Sequence, residues 1–218
     1  MSEQGDGVAP IESGAPAKPK RQPVRRTIAI VGGVVAGGVV GLVLAFVLVM
    51  VQYVHMLGPS INGWHVTTDC GVAMPNPLTR AACAMEYPMV NSPSEGVYWT
   101  TEVDSTGARL SGANNYVMHF PANGTPPNDA FWSMTITNMT AQLTPNPIDR
   151  YAVSSHSGLV ANADGSIDIY IQANQPADNV SNWLPTPAGQ FILWLRDYAP
   201  GAQVLQGDYV VPGVEVAP

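Results

Sequence analysis

The chain has 218 residues, 46% of them hydrophobic and only 11% charged, with a formal net charge of −7. An ordinary soluble domain carries about 25% charged residues, so the composition excludes a disordered polyelectrolyte. The acidic balance argues against nucleic acid as the main partner. The charge is unevenly placed: residues 1–27 hold five basic and three acidic side chains, whereas residues 60–218 hold four basic and thirteen acidic ones.

Residues 1–27 are rich in Gly, Pro, Ala, Ser and charge, have almost no large apolar side chains, and read as a disordered tail. Its basic cluster, Lys18 to Arg26, suits anionic headgroups and serves as a topology signal. From Ile28 to Val51 every residue is apolar or glycine. As a helix this run is about 36 Å long, enough to cross a hydrocarbon core of about 30 Å. Gln52, Tyr53, His55 and Trp64 follow and suit the far interface. A buried core helix would need a polar face. A cleaved signal peptide is the rival reading, but its apolar stretch would be shorter and would end at a small-residue cleavage site. The reading is therefore an uncleaved signal anchor over residues 28–54. With the basic residues before it, the N-terminus lies in the cytoplasm and the later residues lie outside an inner membrane.

Within the span, Ala29, Gly33, Gly37, Gly41 and Ala45 recur every fourth residue and line one helical stripe. Small residues so placed let a second helix approach. The partners expected are the bilayer itself and either a second copy or another membrane protein.

Residues 55–75 read as a juxtamembrane linker and residues 76–218 as one outer domain. Cys70 and Cys83, the only cysteines, fall on the oxidising side and can close a small loop; two free buried thiols are the alternative. Their spacing does not suit zinc. Pro77 to Tyr87 is the one outer helix expected, capped by Asn76, with Pro77 in the first turn and Pro88 ending it.

Short strands and turns follow. Val97–Val103 leads into the turn Asp104-Ser-Thr-Gly107. Tyr116–Phe120 is next. Trp132, Met134 and Ile136 alternate with Ser133, Thr135 and Thr137. Ile167, Ile169 and Ile171 alternate with polar residues after an Asp164-Gly165 turn. Period-two alternation marks a strand with one buried face. Gln190–Asp197 is apolar on both faces, which suits a central strand. These strands, with fifteen prolines after residue 60, predict a mainly β domain built as a β-sandwich. The sequons at Asn123, Asn138 and Asn179 matter only in a host that glycosylates them.

Four stretches, HFPANGTPPNDAFWSMT (119–135), NPIDRY (146–151), NADGSIDIYIQ (162–172) and NWLPTPAGQFILWLRDYAP (182–200), resemble the bacterial family catalogued as domain of unknown function 1214. The likeness extends upstream through NPLTRA (76–81) and EGVYWTTEVDSTGARLSGANNYVMHF (95–120). The resemblance implies a jelly-roll-like sandwich and an envelope location. It also implies a short, membrane-anchored form without the companion domain written as 1254 in longer relatives.

No catalytic set assembles from the sequence. Ser154-Ser155-His156-Ser157 offers serines beside a histidine but no nucleophile elbow. Glu86, Glu95, Glu102, Asp104 and Asp129 show no spacing that singles out a pair. His119 and His156 lack the companions of a metal centre, and no cofactor motif is present. Arg150 is one of four outer cations and reads either as an anion clamp or as half of an ion pair with Asp149 or Asp197. Tyr151, Trp132 and Trp183 join it as ligand-binding candidates if the indoles are exposed; otherwise they are core. Trp99 and Trp194 are expected in the core. The leading reading is a membrane-anchored binding or scaffold module. The rival is an envelope hydrolase of carbohydrate or lipid.

Overall fold

The structure, a computed structural model, describes residues 22–73, 76–87 and 90–217. Most of the tail, including Lys18, Lys20 and Arg21, and the helix stop at Pro88 lie outside the described residues. The chain divides into two units, one ending at Phe46 and one running from Val47 onward.

Helix α1 spans Gln22–Leu57. It takes in residues 22–27, which the sequence reading assigned to the tail, and extends past residue 54. The stretch Val24–Leu57 is long and apolar enough to cross a membrane, as an anchor or a signal sequence would be. Every residue from Val24 to Leu48 is exposed. A Cβ added at Gly33, Gly37 or Gly41 would meet nothing within 4 Å.

In the second unit, helix α2 spans Pro77–Glu86. The Asn76 side chain accepts from the Leu78 N–H at 2.9 Å, and Pro77 occupies the first turn where its missing N–H costs nothing. The Cys70–Cys83 disulfide is formed, with Cα atoms 5.6 Å apart. Around it a small core gathers: Met56, Cys70, Ala82 and Cys83, with Val49, Tyr53, Tyr87 and Val90 packed on it. The last turns of α1, the disulfide loop and α2 are thus held together.

The rest is mainly β, in two sheets. Strands β1 (His65–Val66), β2 (Gly96–Thr101), β3 (Tyr116–Phe120), β4 (Asn128–Asn138), β5 (Ala152–Ser154), β6 (Ile167–Gln172), β7 (Trp183–Pro185), β8 (Phe191–Pro200) and β9 (Val214–Val216) are joined by turns and a short helix, α3 (Ala202–Leu205). One sheet has the order β1-β2-β8-β4-β5 and the other β7-β6-β3-β9. All pairs are antiparallel except β6 with β7. The chain changes sheet at β2–β3, β3–β4, β5–β6, β7–β8 and β8–β9.

Alternation decides which side chains enter the core. Trp132, Met134 and Ile136 of β4, Leu193 and Leu195 of β8, Met118 and Phe120 of β3, and Ile169 and Ile171 of β6 share one buried cluster. Tyr116 meets Phe191 edge to face at 6.0 Å, and Phe120 meets Trp132 at 5.3 Å, so the sheets face each other across this core. Strand β8 is central in its sheet, as its sequence predicts. The Asp104 turn forms as expected: its carboxylate accepts from the N–H groups of Thr106 and Ala108. Strand β2 stops two residues early because the Thr101 hydroxyl bonds both the carbonyl and N–H of Val103.

Candidate functional site

The sequence-derived ligand residues are not brought to one open surface. Trp132 and Trp183 are 3% and 4% exposed. Trp132 shares its parity with Met134 and Ile136, and Trp183 donates its indole N–H to the Gln172 carbonyl at 2.8 Å. Neither indole can stack on a ligand from solvent.

Among the described residues, Arg150 makes no ion pair with Asp149 or Asp197. Its Nη1 donates to the carbonyls of Val180 and Trp183, at 2.5 and 3.0 Å. The NPIDRY segment is a turn built by Asn146, whose Oδ1 accepts from the Arg150 N–H at 3.1 Å and whose Nδ2 donates to the Arg150 carbonyl at 2.9 Å. Asp149 carries the positive φ of 49° that closes the turn. Arg150 then ties the turn to the segment leading into β7. Tyr151 donates to Asp149 at 3.2 Å; burial and that hydrogen bond push its hydroxyl pKa up.

The Ser154–Ser157 cluster is a polar turn. The Ser154 N–H donates to the Ser157 hydroxyl at 2.8 Å, and the His156 N–H donates to the Ser154 hydroxyl at 3.2 Å. The His156 ring lies on Phe131, 5.4 Å between centroids. His119 faces Asp168 across β3 and β6, with Nδ1 and Oδ1 2.6 Å apart. Asn162 supports that carboxylate from its other oxygen at 2.9 Å. Asp164 is held below the usual carboxylate range by the Ser166 hydroxyl and N–H. This polar network sits on the outer face of the four-stranded sheet. Among the described residues, no group of three His, Cys, Asp or Glu side chains could hold a metal ion.

Asn182, which sequence reasoning passed over, is 1% exposed. Its amide accepts from the Val160 N–H and donates to the carbonyls of Val160 and Asp168. It locks the 160 loop to β6, which accounts structurally for an asparagine in the NW stretch.

A cleft of about 770 Å³ lies elsewhere, on the outer face of the five-stranded sheet. Tyr53 and Leu57 of α1 form one wall, Met85 of α2 and Tyr87 a second, and Ile192 and Trp194 of β8 the floor. Position on β8 explains the floor. Phe191, Leu193 and Leu195 point into the core, so Ile192, Trp194 and Arg196 share the opposite face. Trp194, expected in the core, is half-buried there. Its indole N–H donates to the Thr137 hydroxyl at 2.9 Å, which fixes the ring. The rim carries Thr100, Thr140 and an Arg109–Glu102 ion pair. His65 also lines the cleft, with its Nδ1 buried and unpaired. The cleft therefore combines aromatic faces, an apolar floor and hydroxyl or charged edges.

Residues 95–202 match the family model described as "Protein of unknown function (DUF1214)". The crystal structure of the VPA0106 protein from Vibrio parahaemolyticus is similar over 93% of this chain, with a TM-score of 0.60 and 23% identity. A putative uncharacterized protein from Burkholderia cenocepacia is similar over 63%, with a TM-score of 0.44 and 19% identity. This chain spans 48% of the first protein's length and 33% of the second's. The first likeness supports the fold alone. No curated protein matches the chain.

Proposed function

With residues 95–202 belonging to the family of unknown function DUF1214, we propose that this chain is a membrane-anchored envelope protein whose outer domain binds a glycan-bearing lipid at the membrane surface. α1 serves as an inner-membrane anchor with its N-terminus in the cytoplasm, and the outer domain is a jelly-roll-like sandwich. Support for the jelly-roll path comes from the repeated passage of the chain between two facing sheets. Support for outward orientation comes from the basic residues before the span and the disulfide after it.

The observation that carries the reading is the 770 Å³ cleft beside the last turns of α1. A ligand there would lie close to where the chain leaves the bilayer. Trp194 supplies a stacking face for a sugar ring, and the Thr100, Thr140, Glu102 and Arg109 edges supply donors and acceptors for hydroxyls. The test is a titration of the full-length protein in lipid nanodiscs with the soluble oligosaccharide head groups of envelope glycolipids, read by calorimetry. Saturable binding is expected, weakened about tenfold by Trp194→Phe or Ile192→Glu. Binding untouched by both variants would overturn the assignment to this cleft.

A hydrolase is the second reading, supported by the 2.6 Å His119–Asp168 pair. That pair lies on the opposite outer face from the cleft, so it cannot act on a ligand bound there. The hydrolase reading predicts turnover of an envelope ester or glycoside that His119→Ala abolishes.

A further inference from the structure

We infer that Arg196 is an oxyanion clamp beside the cleft, and that the glycan taken there carries an acidic group, carboxylate or phosphate, on its sugar. The inference rests on the glycan reading and names the ligand class within it.

Arg196 is half-buried on β8, between Trp194 and Tyr198 on the outer face of the five-stranded sheet. Its chain neighbour Asp197 is 0% exposed and faces the core, because successive strand residues point to opposite faces. The guanidinium is fixed from below: Nη1 donates to the hydroxyl of buried Thr135 at 3.1 Å. Across the sheet it stands between Tyr98 of β2 and Ser133 of β4. Among the described residues Arg196 makes no ion pair, and its other nitrogens have no hydrogen-bond partner and are not buried. Donors of a positioned cation are thus left open to the surface.

Rings frame one end of this site. Tyr98 meets Tyr198 edge to face at 6.2 Å, and Tyr198 stacks on Phe131 at 4.6 Å. The Tyr98 ring leans over Gly96, where a Cβ would come within 3.0 Å of its hydroxyl. Burial pushes the Tyr98 hydroxyl pKa up, and the Arg196 charge opposes that push. The other end of the site meets the cleft. Trp194, the cleft floor, is two residues from Arg196 on the same face, about 7 Å along the strand. A disaccharide on Trp194 spans that distance.

Charge chooses the ligand. Residues 60–218 hold thirteen acidic and only four basic side chains, and Arg109 and Arg150 are engaged by Glu102 and by two carbonyls. Among the described residues, Glu102 is the one carboxylate lining the cleft, and its pairing with Arg109 leaves no unpaired carboxylate there to repel an anion. A partly desolvated guanidinium with open donors gains most from an oxyanion, which accepts two parallel N–H bonds. A neutral sugar leaves the charge without a counterpart.

The experiment is calorimetric titration of the full chain in phosphatidylcholine nanodiscs with paired head-group oligosaccharides. One pair is a uronate-bearing form and its carboxyl-reduced form; the other is a phosphate-bearing form and its dephosphorylated form. An acidic form is expected to bind about tenfold tighter than its neutral partner, and the pair that shows this identifies the oxyanion. The advantage should shrink as ionic strength rises from about 0.05 to about 0.5 M. Arg196→Gln should bring the pair within about twofold without weakening the neutral form. Arg196→Lys should keep only part of the advantage, because the charge stays and the two-pronged geometry is lost. Thermal transitions show that the variants are folded. Equal affinities within both pairs, or an advantage that either variant leaves undiminished, would overturn the inference. Neutral binding that Trp194→Phe weakens would in that case leave the cleft reading standing, whereas no binding by any form would overturn both.

Discussion

Replacing Asp197 with asparagine should stabilise the protein at neutral pH, an unusual outcome for a fully buried position. Asp197 lies on the core-facing side of β8, between Val97 of β2 and Trp132 of β4, and is 0% exposed. One oxygen accepts from the Asn128 amide at 2.7 Å; the other is buried without a partner. Burial pushes its pKa from 3.8 up to about 6, against the opposing pull of Asn128. Because the folded state holds its proton more tightly, this group's stabilising contribution is complete below pH 3.8 and is lost as pH rises through about 6. That interval corresponds to about 3 kcal/mol at ~1.4 kcal/mol per pH unit. Asparagine keeps the acceptor for Asn128 and places an uncharged N–H where the protonated acid would place its O–H. The variant should therefore match wild type near pH 4 and exceed it at pH 7.5 by about 3 kcal/mol, or about 6–12 °C in Tm. Urea unfolding of the full chain in detergent between pH 4 and 8 measures both curves. The Asp104 and Asp164 carboxyls are pulled below 3.8, so their transitions fall outside the window. Wild-type stability that stays flat or rises from pH 4 to 7.5, or a variant weaker than wild type at pH 7.5, would refute the reasoning.

Removing the Cys70–Cys83 bridge by a double alanine substitution should cost about 3 kcal/mol by loop-closure entropy, and by loosening α2 should also weaken the glycan response; urea unfolding and titration read the two effects. Arg150→Ala should cost about 1–3 kcal/mol, because two part-buried carbonyls lose a charged donor, while leaving glycan affinity unchanged; a selective loss of affinity would support the anion-clamp reading. Gly37→Leu should reduce cross-linking of α1 to a second membrane helix at least tenfold if the small-residue stripe is a packing face, and undiminished cross-linking would remove that role.

The sequence was most informative where local chemistry and tertiary context agree. The Asn76 cap with Pro77, the Asp104 turn, and the isoleucine alternation of β6 each occur within a few residues and formed as expected. The indoles were harder to place. Trp132 and Trp194 both sit in strand patterns, but their exposure depends on which parity faces the other sheet. For Trp194 the signal was Arg196 two residues later, which marks its parity as the outer one. Arg150 could not be placed because its carbonyl partners are 30 and 33 residues away. The three-residue strands β5, β7 and β9 were missed because they exist through pairing rather than through their own propensity, and the parallel pairing of β6 with β7 leaves no period in the sequence. The cleft is walled by segments far apart in the chain, so it could not be read from spacing.

The most direct measurement is of topology. A fluorescent reporter that matures only in the cytoplasm, fused after Pro218, should remain dark while the same reporter fused before Met1 is bright. A bright C-terminal fusion in intact, membrane-bound protein would put the β domain and its cleft on the wrong side of the membrane and contradict the proposed function.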